Sequence, residues 1–289
     1  MKTVSTEVKS LEDYLKLANY SSSTMGNYGN ALAQFLRWKM KHGSLESLCE
    51  EDVKEYLVWR YDNGSGWQTI NAAYSSIRKY YESVLGMPWK VRNLPRPRKE
   101  TVLPRLISVK KVHHLLSHCR SLRDQAFLCL LYGTGLRLGE ALNLEIRQID
   151  GDRNKLLVKR GKGHKDRYVD IPESFLKLLR HYYMEYVPVK FLFNGKKPGD
   201  RLASRTAQHL IKKNCKDCGL GDSVSAHTFR HCYATHHLEG GTNIVYLQQQ
   251  LGHRYLKTTA RYIHLLKEHT WQIKHPLASM VIEYRPRTR

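Results

Sequence analysis

The sequence is poor in acid. Of its 289 residues, 26 are Asp or Glu against 48 Lys or Arg, which leaves a net charge of +22 and a pI near 9.8. So little negative charge suits a polyanionic partner. Long apolar runs are missing too. No uninterrupted stretch approaches the roughly 20 residues of a membrane span, and the start MKTVSTEVKSLEDYL lacks the apolar middle of a signal peptide. A cytoplasmic protein with no membrane partner is the expectation. The six cysteines are scattered, and Cys119, Cys129 and Cys232 fall within apolar or helical stretches, where free thiols pack as small hydrophobes in a reducing compartment. Cys215-x-x-Cys218 tempts as half a zinc site with His209 or His227, but no second Cys pair or matched His pair stands at structural-zinc spacing. Asp150, Asp152, Asp166 and Asp170 lie around a hairpin, where Asp is a common turn residue. No metal is therefore expected. A GxxxxGK[ST] phosphate loop is also missing, as are internal repeats and low-complexity tracts.

What is there is a folded core with the basic excess laid over it. Hydrophobic residues at 41% and aromatics at 10% are ordinary for a globular chain, which excludes a histone-like arm. The length suits about two domains, and the charge divides unevenly between them. Residues 1–91 carry 11 basic and 10 acidic side chains, and residues 92–289 carry 37 and 16, a split of +1 and +21.

Residues 1–90 read as a small helical bundle. Ser21–Ser23 and Thr24 precede a helix with Tyr28, Leu32, Phe35 and Leu36 at three-to-four spacing, stopped at His42-Gly43. EEDVKEYLVWRYDNG and TINAAYSSIRKYYESVLG repeat that logic. Pro88, Pro95, Pro97 and Pro104 then mark a connector, residues 91–106, whose Arg96, Arg98 and Lys99 are candidate contacts to phosphates. Residues 107–289 form a second, mainly α domain. Helical patterns start at VKKVHHLLSHC and LRDQAFLCLLY, and Gly133-Thr134-Gly135 is read as opening a short helix, LRLGEALNLE. Two short strands flank the basic turn 161–166, giving a small antiparallel β-sheet. Further helices are expected from near Glu173, Leu202, His227 and Thr242, with a last one around Thr258–His264.

Several residues of this half suggest a phosphate site: Arg137, Lys162 on the hairpin tip, His227 with Arg230 three positions on, His253, and Tyr262. On a helix His227 and Arg230 share a face and can reach one oxyanion, and arginine forks hold phosphate oxygens bidentately. TGLRLGE (134–140), GKGHKDR (161–167), HTFRH (227–231) and LGHRYLKTTARYIH (251–264), in this order, resemble the four signature boxes of the tyrosine recombinases. The opening S..T...Y...L..F..W of residues 21–38 is similar to the core-binding domain of phage-type integrases and Xer-type recombinases, so the resemblance covers essentially the whole chain.

The resemblance implies a site-specific DNA recombinase with a core-binding domain, a linker and a catalytic domain. Tyr262 would attack a DNA phosphate to form a 3′-phosphotyrosyl bond, which a 5′-hydroxyl later reverses. Arg137 and Arg230 would hold the non-bridging oxygens, Lys162 would protonate the 5′ leaving oxygen, and His227 and His253 would supply proton transfer and hydrogen bonds. Glu140 would buttress Arg137, and Lys165 and Arg167 would contact the DNA backbone. Neither metal nor ATP is implied. The partners implied are double-stranded DNA and further copies of the chain, a tetramer on two paired sites, with localisation at the nucleoid.

Most of the 18 tyrosines are expected to pack; the nearest rivals of Tyr262, Tyr246 and Tyr255, lack its spacing of nine residues from His253. His231, His236 and His237 are expected to be structural, because they match no motif position. Two other functions compete: relaxation of DNA by a type IB topoisomerase-like enzyme, and a non-catalytic DNA-binding accessory protein of a mobile element.

Overall fold

The computed structural model describes residues 3–45, 48–89, 105–159, 166–197 and 199–266. The chain divides into two compact units, Met1–Val102 and Leu103–Arg289.

The first unit holds four helices: α1 (Val4–Leu17), α2 (Ser22–His42), α3 (Glu50–Asp62) and α4 (Trp67–Ser83). α2 starts about one turn before the expected point, because Ser21 Oγ accepts the Thr24 N–H at 3.2 Å and Ser22, Ser23 and Thr24 already belong to the helix. It packs between α1 and α4, and the core is closed by Leu11, Leu15, Leu32, Phe35, Leu36, Tyr56, Ile77 and Tyr80. Burying each of these large side chains is worth about 1.5–3 kcal/mol. α1 is an addition to the three helices expected. Its cap is Thr3, whose hydroxyl accepts the Thr6 N–H at 3.2 Å. Only Leu11 and Leu15 of α1 are buried, a stripe too narrow to stand out as a helical period. Beneath α2, Lys39 Nζ donates to Asp52 Oδ1 at 2.6 Å in a buried ion pair.

The second unit is built around α6 (Leu122–Thr134), whose Phe127, Leu128, Leu130 and Leu131 are all buried. A helix apolar on every side belongs at a centre, and α6 packs against α8 (Glu173–Tyr186), α9 (Ser204–Asp217) and α10 (Ala226–Glu239). Around it stand α5 (Val109–Ser117), α7 (Leu138–Leu142), α11 (Ile244–Leu251) and α12 (Leu256–Ala260). The hairpin strands are β2 (Lys155–Val158) and β3 (Arg167–Asp170), paired antiparallel from Val158↔Arg167 to Lys155↔Asp170. A two-residue strand β1 (Ile149–Asp150) pairs with β2 and completes a sheet of order β1-β2-β3; two residues are too few to show a period of two.

One boundary differs from expectation. Gly133 and Thr134 belong to α6, and Gly135, in the left-handed region at φ 59°, ends that helix instead of opening the next. A side chain is barred there, since a Cβ on Gly135 would lie 2.5 Å from the Tyr233 ring. The tight turn sets Arg137, the residue that precedes α7, close to α10. No described helix is long and apolar enough to cross a membrane.

Candidate active site

Arg230 is the buried centre of the site. Ser225 caps α10 by accepting the Thr228 N–H at 3.4 Å, while its own N–H donates to Thr228 Oγ1 at 3.1 Å. This start puts Arg230 on the inner face, 3% exposed. Its Nη1 donates to the Gly135 carbonyl at 2.6 Å, and its Nη2 to the Leu251 carbonyl at 2.7 Å and to His253 Nε2 at 2.9 Å. Carbonyls and an imidazole carry no net charge, so these partners fix the guanidinium without neutralising it. Burial first, then the neighbouring Arg137, pull its pKa down to about 10. A buried cation held in this way favours an anion beside it.

His253 follows Gly252, which ends α11 at φ 64°. A guanidinium can only donate, so His253 Nε2 accepts, and Nδ1 carries the hydrogen that reaches Thr259 Oγ1 at 2.8 Å. Burial, followed by Arg230 and Arg137, pushes its pKa down to about 3, and the ring stays neutral. It stacks on Tyr262, with centroids 6.3 Å apart and planes 12° from parallel.

Tyr262 sits past α12, at the start of a short 3₁₀ turn (Ile263–Leu265), and is 7% exposed. Burial raises the pKa of its phenol, against the pull of Arg230 and Arg261. Its hydroxyl meets a residue that sequence reasoning does not single out: Oη lies 3.2 Å from His231 Nδ1. The expectation for His231 is a structural role, yet it touches Tyr262 across 31 positions of chain. Its place beside Arg230 in HTFRH, one turn from His227 on the same helix face, is the signal that could have found it. His227 itself is exposed, and its pKa is lowered by partial burial of the ring, Arg230 and Arg137.

Glu140 holds Arg137 from two directions. Its Oε1 accepts from Arg137 Nη1 at 2.9 Å and its Oε2 from the Arg137 backbone N–H at 3.0 Å. The same carboxylate takes Arg167 Nη1 and Nη2 at 3.0 and 2.8 Å. Although burial pushes the Glu140 carboxyl upward, Arg167 and Arg137 hold it down at about 2. This corrects the reading of Arg167 as a DNA-backbone contact. Its side chain is 11% exposed, its fork is closed on Glu140, and its Nε donates to the Gln250 carbonyl at 2.9 Å. Facing strand β3 inward at this register makes Arg167 a tie between α7 and α11.

Lys162 and Lys165, and Arg96, Arg98 and Lys99 of the connector, lie outside the described residues. Arg137 also lines a groove of about 710 Å³ with Glu140, Asn143, Arg147, Val158 and Lys159. Tyr246 and Tyr255 stand apart from the cluster: Tyr246 donates to Asp170, and Tyr255 is exposed.

Two neighbouring arginines, a neutral imidazole and a buried phenol together suit nucleophilic attack on a phosphodiester. Comparison with known proteins agrees. The sequence model of the phage integrase family matches residues 103–269, and that of the phage integrase N-terminal SAM-like domain matches residues 8–91. Tyrosine recombinase XerA of Pyrococcus horikoshii is 30% identical over 259 residues, 89% of this chain and 88% of XerA. Tyrosine recombinase XerC of Bacillus subtilis is 28% identical over 304 residues, 96% of this chain and 99% of XerC. Among solved structures, XerH site-specific recombinase bound to palindromic difH substrate shares the fold. Its TM-score is 0.71 at 22% identity, over 84% of this chain and 77% of that one. The chain belongs to the phage integrase family and is a site-specific recombinase, an enzyme that breaks and rejoins DNA.

Proposed function

We propose that Tyr262 is the nucleophile of strand cleavage and that its oxygen becomes bonded to the 3′ phosphate of the cut DNA strand. Arg137 and Arg230 hold the two non-bridging oxygens, Lys162 gives a proton to the departing 5′ oxygen, and His227 donates a hydrogen bond to the phosphate. His253 aligns the reacting groups by stacking on Tyr262 while accepting from Arg230. The observation that carries this reading is the pairing of a buried, charge-uncompensated Arg230 with Tyr262 through the single imidazole of His253. Two guanidiniums and an ammonium supply the positive charge that the pentavalent phosphorus of the transition state demands. The covalent phosphotyrosine conserves the bond energy for rejoining, so neither metal nor ATP enters the scheme.

The substrate in this reading is a specific duplex site in the cytoplasm, at the nucleoid, bound by a tetramer that pairs two sites. XerH and lambda integrase were each solved on their DNA, the latter as a dimer on a core site. Arg96, Arg98, Lys99 and Lys165 contact the backbone. The test uses a nicked suicide duplex in EDTA. The parent chain is expected to trap a covalent adduct, and Tyr262→Phe to bind DNA without forming one. An adduct in that variant would remove Tyr262 from the role, and cleavage lost in EDTA by the parent would point to a metal nuclease.

A further inference from the structure

Tyr262 has to shed its phenolic proton as its oxygen meets phosphorus, and His227 and His253, to which the family resemblance gives proton transfer, are otherwise placed. His253 has both ring nitrogens engaged, Nε2 by Arg230 and Nδ1 by Thr259. His227 stands at the surface, its ring centroid 6.3 Å from that of His231. Arg230 also hydrogen-bonds the phenol but can only donate, whereas His231 can accept, with Nδ1 3.2 Å from Tyr262 Oη and ring centroids 5.6 Å apart.

We propose that His231 is a catalytic residue, the general base that accepts the Tyr262 proton at Nδ1 during cleavage and returns it during rejoining. This rests on Tyr262 as nucleophile. In the forward step the Tyr262 O–H bond breaks and its proton passes to Nδ1, leaving an imidazolium. The oxygen's electron pair forms the O–P bond, and the P–O5′ bond breaks with its pair on O5′, which takes a proton from Lys162. On rejoining, a 5′-hydroxyl attacks phosphorus and passes its proton back to the neutral Lys162 amine, the P–O bond to Tyr262 breaks with its electron pair on the phenolic oxygen, and the imidazolium returns its proton to that oxygen to restore the phenol.

Accepting at Nδ1 requires the tautomer with hydrogen on Nε2. The groups that face His231 are His227 and Arg230 from its own helix, and Arg261 and Tyr262 from the segment after α12. Burial first, then His227, Arg230 and Arg261, hold its pKa down to about 4, so the imidazole is neutral and able to accept at neutral pH. A phosphodiester seated on Arg230 brings negative charge that offsets the two arginines, and His231 becomes more basic when substrate arrives.

The test measures single-turnover formation of the covalent adduct on a nicked suicide duplex. Asn at 231 puts an amide at the position of Nδ1, keeping a hydrogen-bond acceptor that cannot be protonated, so a merely structural role would survive in His231→Asn. The expected rate falls by about 100-fold or more, within the range of general-base catalysis, with DNA affinity unchanged. A substrate whose 5′ bridging oxygen is replaced by sulfur, a leaving group that needs no proton, should relieve Lys162→Ala and leave the His231→Asn defect in place. A fluorinated tyrosine at 262, whose phenol is more acidic, should narrow the gap between His231→Asn and the parent; it tests the proposal in His231→Ala too, should the Asn variant fold poorly. Cleavage by His231→Asn within about threefold of the parent, relief by the sulfur substrate, or a gap untouched by the fluorinated phenol would each overturn the assignment to His231. An adduct formed by Tyr262→Phe would instead overturn the nucleophile.

Discussion

For single residues, what matters at the site is how charge is buried. Arg230 is held by groups without charge, whereas Arg137 shares the carboxylate of Glu140 with Arg167. Replacing Arg167 with Met leaves Glu140 buried with one cation fewer, and removing one partner of a buried pair costs about 3–5 kcal/mol. The melting temperature should drop clearly, and cleavage should weaken because Arg137 loses its brace. A variant with unchanged melting and only a weaker grip on DNA would return Arg167 to the backbone-contact role. Glu140 also predicts an acid limit. Its folded pKa of about 2 lies below the ordinary 4.5. The stability it contributes, about 3 kcal/mol, is therefore full above about pH 4.5 and is lost as pH falls through 2. Melting followed from pH 6 to pH 2 should show that loss in the parent and a smaller one in Glu140→Gln, and equal slopes in the two would contradict it.

The residues differ in how far sequence spacing reveals them. Arg137, Glu140, His227, Arg230, His253 and Tyr262 sit in short motifs whose local spacing is visible, and the described fold brings them together in one unit. Two pairings are not legible in this way. Arg167 meets Glu140 across 27 positions, and His231 meets Tyr262 across 31. Which way a side chain turns at such range is decided by packing between helices, which leaves no periodic trace in the chain.

Among elements, those with strong caps or wide apolar faces are the ones the sequence reveals. α2 begins at its serine cap and α6 is apolar all round, so both are legible. α1 hides behind two buried leucines, and β1 is only two residues long. The junction of α6 and α7 is the element that most directly aims the site. Gly135 has φ 59°, faces the Tyr233 ring, and its carbonyl accepts from Arg230. Gly135→Ala should therefore destabilise the unit by about 1–3 kcal/mol and slow cleavage about 100-fold by displacing Arg137 and Arg230 together. Thermal melting and adduct kinetics check the two parts, and a fast, well-folded variant would show that this turn does not aim the arginines.

For the whole molecule, the uneven charge is the relevant fact. Residues 92–289 carry +21 of the +22, so most of the counterion release on binding DNA should arise there. In the full chain, replacing Arg96, Arg98 and Lys99 with Gln should flatten the plot of log affinity against log salt by about 0.9 for each phosphate that is no longer neutralised. A slope that stays unchanged would show that the connector does not track the backbone.

The whole mechanism turns on one phenol among 18 tyrosines carrying the cut strand. Digesting the trapped protein–DNA adduct with protease and nuclease, and mapping the nucleotide-bearing peptide by mass spectrometry, reads that bond without an intermediary. A single modified residue, Tyr262, bonded through a 3′ phosphate, is the expected result. A nucleotide on Tyr246, Tyr255 or any other side chain, or a 5′ linkage, would overturn the mechanism.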